Sequence, residues 1–194
     1  MAPGKGSVMF LLVLLAAAMA AQSTPTSSTE MLGIDVPDEF QVGNHQRDDK
    51  NEIMELVEPP ETVDNWSKLI TSLMFFDRAK AGLDTFYARW RDSLRSACPG
   101  LMDKSVRGNV DGHPAIHGTL SCPKNPQTGK PENLSAFLVQ GDANMMMAQV
   151  AFRHAVSKPD TALIERIGGS LKVCDQRTLE SCSARKATGF VVVP

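Results

Sequence analysis

The stretch of sequence that decides the fold is residues 106–152, which read VRGNVDGHPAIHGTLSCPKNPQTGKPENLSAFLVQGDANMMMAQVAF. It contains four apolar runs, which are residues 106–110, 115–120, 134–139 and 145–152. Short apolar runs at this spacing are typical of antiparallel strands joined by hairpins. The Asp-Gly and Gly-Asp pairs at 111–112 and 141–142 indicate tight turns, and residues 123–132 predict a longer hairpin loop. The stretch therefore predicts an antiparallel meander.

Two helices are predicted beside this meander. In Leu83–Ala97 the apolar residues recur at helical spacing and form one stripe, while arginine and aspartate occupy the other side. Beyond the meander, Pro159 precedes Asp160, which we expect to be the N-cap of a second helix. The glycine pair 168–169 is expected to end that helix, because glycine weakens a helix interior.

Two segments precede the first helix. Residues 52–57 are rich in branched side chains and are followed by two prolines, which predicts a short strand. Residues 63–76 fit both helical and strand spacing, so their periodicity alone does not decide between the two. The predicted fold class is α+β, with an antiparallel sheet of about five to six strands in a meander packed with two helices.

The N-terminal part of the chain predicts export. Residues 1–21 have the pattern of a signal peptide, because the uncharged run 8–21 is shorter than the roughly 20 residues of a membrane span and ends in small residues. An uncleaved anchor is the alternative. Residues 22–50 predict a disordered or loosely docked tether, although their apolar side chains could fold back onto the domain. A single α+β domain is expected over residues 51–176 and a C-terminal tail over residues 177–194.

The four cysteines predict two disulfides, because an exported chain meets an oxidising compartment. We expect the pairs Cys98–Cys122 and Cys174–Cys182, with Cys98–Cys174 as the alternative to the first. The spacing contains no C-x-x-C pair, which disfavours a zinc site. The methionines at 145–147 could ligate copper, but filling of the core is the expected role of such a run. No metal and no cofactor is therefore predicted.

One loop is the first candidate for contact with a ligand or partner. Thr128, Lys130 and Glu132 lie in the predicted hairpin loop, and Arg153 follows the last strand of the meander. An exposed lysine, glutamate and arginine together can bind a polar ligand or a partner protein. The alternative is an ordinary hairpin turn with surface charges.

Several short motifs occur in a distinctive order between residues 52 and 174. They are Pro60-Glu61-Thr62-Val63 with Asn65-Trp66, Trp90 before Cys98-Pro99-Gly100, Cys122-Pro123 followed by Asn125-Pro126 and Thr128-Gly129-Lys130-Pro131-Glu132, and Ala151-Phe152-Arg153. Together they resemble a family of exported alphaproteobacterial proteins of unknown function. The resemblance implies a small α+β domain, similar in shape to PsbP/Mog1 proteins, with residues 67–76 as a strand. It implies no activity, because none is known for the family.

The charge balance and the absence of catalytic motifs limit the classes of function that the sequence supports. Twenty basic and 22 acidic residues leave a net charge of −2, which gives no overall attraction to nucleic acid or to an anionic membrane. Common catalytic motifs are absent from the sequence. The sequence predicts a periplasmic or secreted non-enzymatic domain that binds a protein, an envelope component or a small ligand, with no membrane span after signal cleavage. The alternative is a hydrolase with dispersed catalytic residues, which a pocket pairing a nucleophile with His113, His117 or His154 would favour.

Overall fold

The computed structural model describes residues 29–175, 177, 182 and 186–193. The predicted signal peptide and the first part of the predicted tether, residues 22–28, lie outside the described residues. Besides a short 3-10 helix at Ala79–Ala81, the elements are β1 (Glu30–Gly33), β2 (Gln41–Arg47), β3 (Asn51–Val57), β4 (Lys68–Phe75), α1 (Leu83–Ala97), β5 (Met102–Val110), β6 (His113–Cys122), β7 (Glu132–Gln140), β8 (Met145–Phe152), α2 (Lys158–Ser170), β9 (Lys172–Asp175) and β10 (Val191–Val192). In the described part of the chain, neither α1 nor α2 has the length and apolar character that crossing a membrane requires.

An antiparallel sheet of eight strands forms the centre of the molecule, in the order β10-β5-β6-β7-β8-β4-β3-β2. It consists of two meanders, β2 to β4 and β5 to β8, which are joined where β4 pairs with β8. Strands β1 and β9 form a separate two-stranded antiparallel sheet. The α+β class with two helices is confirmed, and the structure contains more strands than the five to six that were predicted.

The two helices cover opposite faces of the large sheet. Leu83 and Tyr87 of α1 pack against Met145 and Met147, whereas α2 packs on the face that carries Met146. Successive strand residues point to opposite faces, so one methionine run fills both cores. All three methionines are completely buried, and their contacts are those of core residues.

The ambiguous segment and the second helix are settled by their packing. Residues 68–75 are strand β4, because they hydrogen-bond between β3 and β8. The N-cap of α2 is Ser157 and not the predicted Asp160, which is the third helical residue and completes a capping box with Ser157. The predicted break at 168–169 is also wrong, since the helix continues through both glycines. A Cβ at Gly168 would lie 2.6 Å from Cζ of Phe137, so this glycine allows the helix to approach the sheet.

The structure corrects the predicted tether and tail. Within residues 29–50, β1 pairs with β9 and β2 pairs with β3, and both Leu32 and Phe40 are buried in the core. In the C-terminal segment, β10 pairs with β5. The polar composition of β2 concealed it, because an edge strand whose side chains are largely exposed carries few apolar residues. The folded unit therefore begins before residue 51 and includes part of the tail.

Both predicted disulfides are present. Cys98 and Cys122 connect the C-terminal end of α1 to the end of β6, with their Cα atoms 6.0 Å apart. Cys174 in β9 is bonded to Cys182, with a Cα–Cα distance of 5.6 Å. The first bond fixes α1 against the sheet, and the second links β9 to a cysteine eight residues further along the chain.

Replacing Leu32 with alanine tests whether the N-terminal segment belongs to the fold. We expect Leu32→Ala to lower the free energy of unfolding by about 2–5 kcal/mol, because this side chain is only 6 % exposed within the core. The matched control Val42→Ala lies in β2 at 57 % exposure and should change it by less than about 0.5 kcal/mol. Urea unfolding of the two variants provides the measurement. Equal, negligible effects would show that residues 29–50 behave as a tether.

Candidate functional site

An open cleft of about 440 Å³ lies on the α2 face of the sheet, between the outer strands and the N-terminal half of α2. We call it the α2 cleft. Its lining residues are Met102, Asp103, Lys104, Thr119, Leu120, Ser121, Asn133, Leu134, Ser135, Phe152, Val156 and Ile164. The volume falls within the range of about 300–1,000 Å³ that is usual for small-molecule sites.

The strand register builds the floor of the cleft from two parallel rows of side chains. The first row crosses β5, β6, β7 and β8 as Met102, Ser121, Asn133 and Phe152. The second row, in the same strand order, is Lys104, Thr119 and Ser135, and it continues on β8 to Val150, which is completely buried and does not line the cleft. Val156 and Ile164 cover these rows from the segment that leads into α2 and from the helix itself. The floor is thus buried and apolar at β8 and open at β5.

Three of the polar side chains of the floor, Ser121, Asn133 and Ser135, are already hydrogen-bonded within the protein. Ser121 Oγ donates to Asn133 Oδ1 at 2.8 Å, and Asn133 Nδ2 donates to the carbonyl oxygen of His154 at 2.7 Å. Ser135 Oγ lies 2.8 Å from Nε2 of His117. His117 is two residues before Thr119 in β6, the residue that pairs with Ser135. These groups need no water to satisfy them, so the floor can face an apolar ligand without leaving them unpaired.

His117 lies beside the floor in an aromatic environment. Its ring stacks on Phe137 at a centroid distance of 4.2 Å and meets Phe190 edge-on at 5.8 Å. Burial lowers the pKa of His117 below its usual value. The imidazole is therefore neutral at neutral pH, and it supports Ser135 by a hydrogen bond between uncharged groups.

The His117–Ser135 pair meets one geometric requirement of a hydrolase, a hydroxyl within hydrogen-bond distance of a histidine. Among the described residues, however, no carboxylate hydrogen-bonds to His117 to orient it, as a catalytic triad requires. Ser135 is only 2 % exposed and sits inside β7 between Thr119 and Val150. Because β7 pairs with β6 and β8, its backbone amides donate hydrogen bonds to neighbouring strands. The described surroundings of Ser135 therefore do not form an oxyanion hole.

Charge at the cleft is concentrated at its open end. Asp103 points to the other face, where Arg95 and Arg91 of α1 hold its carboxylate. Lys104 points into the cleft and is exposed. In the described part of the chain, it makes no ion pair that would neutralise it. The mouth of the cleft therefore carries a positive charge.

The structure places the four predicted contact residues outside this cleft. Glu132 and Arg153 form an ion pair of 3.2 Å at the base of the hairpin loop, and the Arg153 guanidinium lies 3.9 Å from the centre of the Trp66 ring. Thr128 and Lys130 are exposed at the tip of the loop, where the Lys130 amide donates to Thr128 Oγ1. Glu132 and Arg153 thus stabilise the loop. Contact of all four residues with a ligand or partner stays a prediction.

One group of side chains has the composition of a metal site. Glu30, His113 and Asp142 place their potential ligand atoms within 4.8 Å of one another. Both carboxylate oxygens of Glu30 accept hydrogen bonds from the backbone amides of Asp142, Ala143 and Asn144. These contacts show that Glu30 fastens β1 to the turn between β7 and β8, which is a structural role.

Sequence reasoning did not find the cleft. Its signal is the alternation in β6 and β7, where Thr119, Ser121, Asn133 and Ser135 occupy every second position among buried apolar residues. Such alternation predicts a sheet face that is not fully covered. That Thr119 stays exposed while Ser135 is buried follows only from the way α2 packs on the sheet.

No family model matches the chain, and no curated protein matches it. Among solved structures, it is similar to LpqN, a protein involved in cell envelope biogenesis of Mycobacterium tuberculosis, with 11 % identity, a TM-score of 0.42, and coverage of 78 % of this chain and 87 % of that one. It is also similar to PA94 of Pseudomonas aeruginosa, a protein of unknown function, with 15 % identity, a TM-score of 0.40, and coverage of 70 % and 89 %. Likeness at this level supports no argument about the function of this chain.

The half-buried His117 makes a testable contribution to stability. Because its pKa is depressed in the folded state, the associated stability is fully present above the unfolded pKa of about 6.5 and is lost as the pH falls through the folded value. We expect His117→Gln to flatten the fall in unfolding free energy between about pH 7 and pH 5. Denaturant titrations across this range, with an NMR titration of the wild-type ring, provide the measurement. A His117 ring that titrates at or above pH 6.5 would contradict this assignment.

Proposed function

We propose that the protein is an exported, non-enzymatic binding domain and that the α2 cleft is its ligand site. The observation that carries the proposal is the cleft itself, with apolar side chains at its closed end and internally paired polar groups along its floor. Sites for small molecules have this character, being mostly apolar with a few placed polar groups.

Two features support export to the periplasm or the extracellular space. The N-terminal segment has the pattern of a signal peptide. All four cysteines are paired in disulfides, which form and persist in oxidising compartments. The motif resemblance to exported alphaproteobacterial proteins of unknown function points the same way.

A hydrolase is the second candidate, and the Ser135–His117 hydrogen bond is the observation that favours it. Activation of a serine requires a base that is itself oriented and a pocket that stabilises the oxyanion. The described surroundings of the pair supply neither, so binding is the function that the geometry supports better.

Filling the cleft tests the binding function. Thr119 is exposed at the centre of the floor, so Thr119→Trp should place an indole ring in the cleft without disturbing the core. We expect the affinity for the uncharged dye Nile red, followed by its fluorescence, to fall at least about tenfold. The control Val42→Trp, on the edge strand β2, should bind the dye as the wild type does.

Undiminished Nile red binding by Thr119→Trp would argue against the cleft as the ligand site.

A separate experiment tests for hydrolase activity. Labelling of the wild type by a fluorophosphonate, lost in Ser135→Ala while the variant stays folded, would establish the hydrolase instead.

A further inference from the structure

We infer that the occupant of the α2 cleft is a single-chain anionic amphiphile, a carboxylate with an extended hydrocarbon chain. The chain lies along the floor toward Phe152, and the carboxylate meets Lys104 at the mouth. This inference rests on the proposed function, since it names the ligand class of the same site.

The floor is suited to a hydrocarbon chain rather than to a polar ligand. Ser121, Asn133 and Ser135 have hydrogen-bond partners within the protein. A sugar laid on this floor would lose its hydrogen bonds to water and find few free partners to replace them. A hydrocarbon chain loses none, and burying it gains the hydrophobic free energy of each methylene group.

The closed end provides the apolar contacts. Phe152 forms its base and is completely buried, so the apolar surface that a chain would meet there belongs to Ile164 and Val156. Val156 is 45 % exposed and Met102, at the open side, is 63 % exposed. Exposed apolar side chains around a cleft mark the surface that a ligand would cover.

The open end selects the charge of the headgroup. Lys104 is the cationic side chain that lines the cleft, and the Asp103 carboxylate is held by Arg95 and Arg91 on the other face of the sheet. Next to Lys104 in the same row, Thr119 offers an exposed hydroxyl. A carboxylate here gains an ion pair and a hydrogen-bond donor, whereas a cationic headgroup is repelled.

The dimensions of the floor agree with one extended chain. From Met102 on β5, two residues from Lys104, to the lining residue Phe152 on β8, the first row crosses three strand intervals, which is about 14 Å at the usual strand spacing. A ligand with its headgroup at Lys104 thus reaches the buried end of the floor with a chain of medium length.

Competition among three amphiphiles that share a dodecyl-length chain tests the inference. Dodecanoate, dodecyltrimethylammonium and dodecyl maltoside, each below its micelle concentration, are titrated against Nile red bound to the wild type. We expect dodecanoate to compete best, and Lys104→Glu to weaken it at least about fivefold while strengthening the cationic competitor. Lys104→Gln should give an intermediate loss. The control Lys50→Glu, at an exposed lysine in the turn between β2 and β3 at the other edge of the sheet, should change nothing.

The outcomes separate the inference from the proposed function. Equal competition by the three amphiphiles, or dodecanoate affinity that is insensitive to Lys104→Glu, would overturn the inference that the ligand is anionic. The cleft would then remain a binding site that does not select the charge of its ligand. Stronger binding of dodecyltrimethylammonium to the wild type would overturn it as well. If no amphiphile displaces the dye and Thr119→Trp still binds it, the cleft is not the site and the proposed function fails too.

Discussion

The pairing of β4 with β8 is the interaction on which the rest of the structure depends. It runs over eight residue pairs, from Lys68 opposite Phe152 to Phe75 opposite Met145, and it joins the two meanders into one sheet. Because α1 and α2 then lie on opposite faces, β8 is buried on both sides. Three consecutive methionines suit such a strand, since their flexible side chains fill irregular space in both cores.

The α2 cleft follows from this arrangement. The helix packs through Ile167 over the centre of the sheet, next to Phe137 and Phe152, and the capping box at Ser157 and Asp160 fixes where it begins. The floor strands β5 and β6 lie toward the edge of the sheet, and within the described residues part of their α2 face has no covering element. A half-covered face must either be polar or bind something apolar. Here Ser121, Asn133 and Ser135 are hydrogen-bonded within the protein, and the rim carries the exposed apolar side chains of Met102 and Val156, which favours binding.

How much of this could be predicted depends on the range of the interactions that decide each element. The stripe of α1 and the hairpins of the second meander are local patterns, and both appear in the structure. Strand β4 was ambiguous, because its two neighbours in the sheet come from distant parts of the chain. Strand β2 was missed because its side chains are largely exposed, and the cleft because it exists only where α2 stops covering β5 and β6. The disulfide pairs could be predicted, since Cys98 follows the predicted helix and Cys122 precedes the predicted hairpin loop, whereas Cys174 and Cys182 are only eight residues apart.

The most direct test of the cleft as a ligand site is a titration of the protein with dodecanoate, followed by amide proton–nitrogen correlation spectra. The structure predicts the largest shift changes along the two floor rows and in the first turns of α2, centred on Thr119, Ser135 and Ile164. The amides of α1 around Tyr87, on the opposite face, should remain unchanged. Shift changes confined to α1, or to the hairpin loop at residues 123–131, would contradict the assignment of the site.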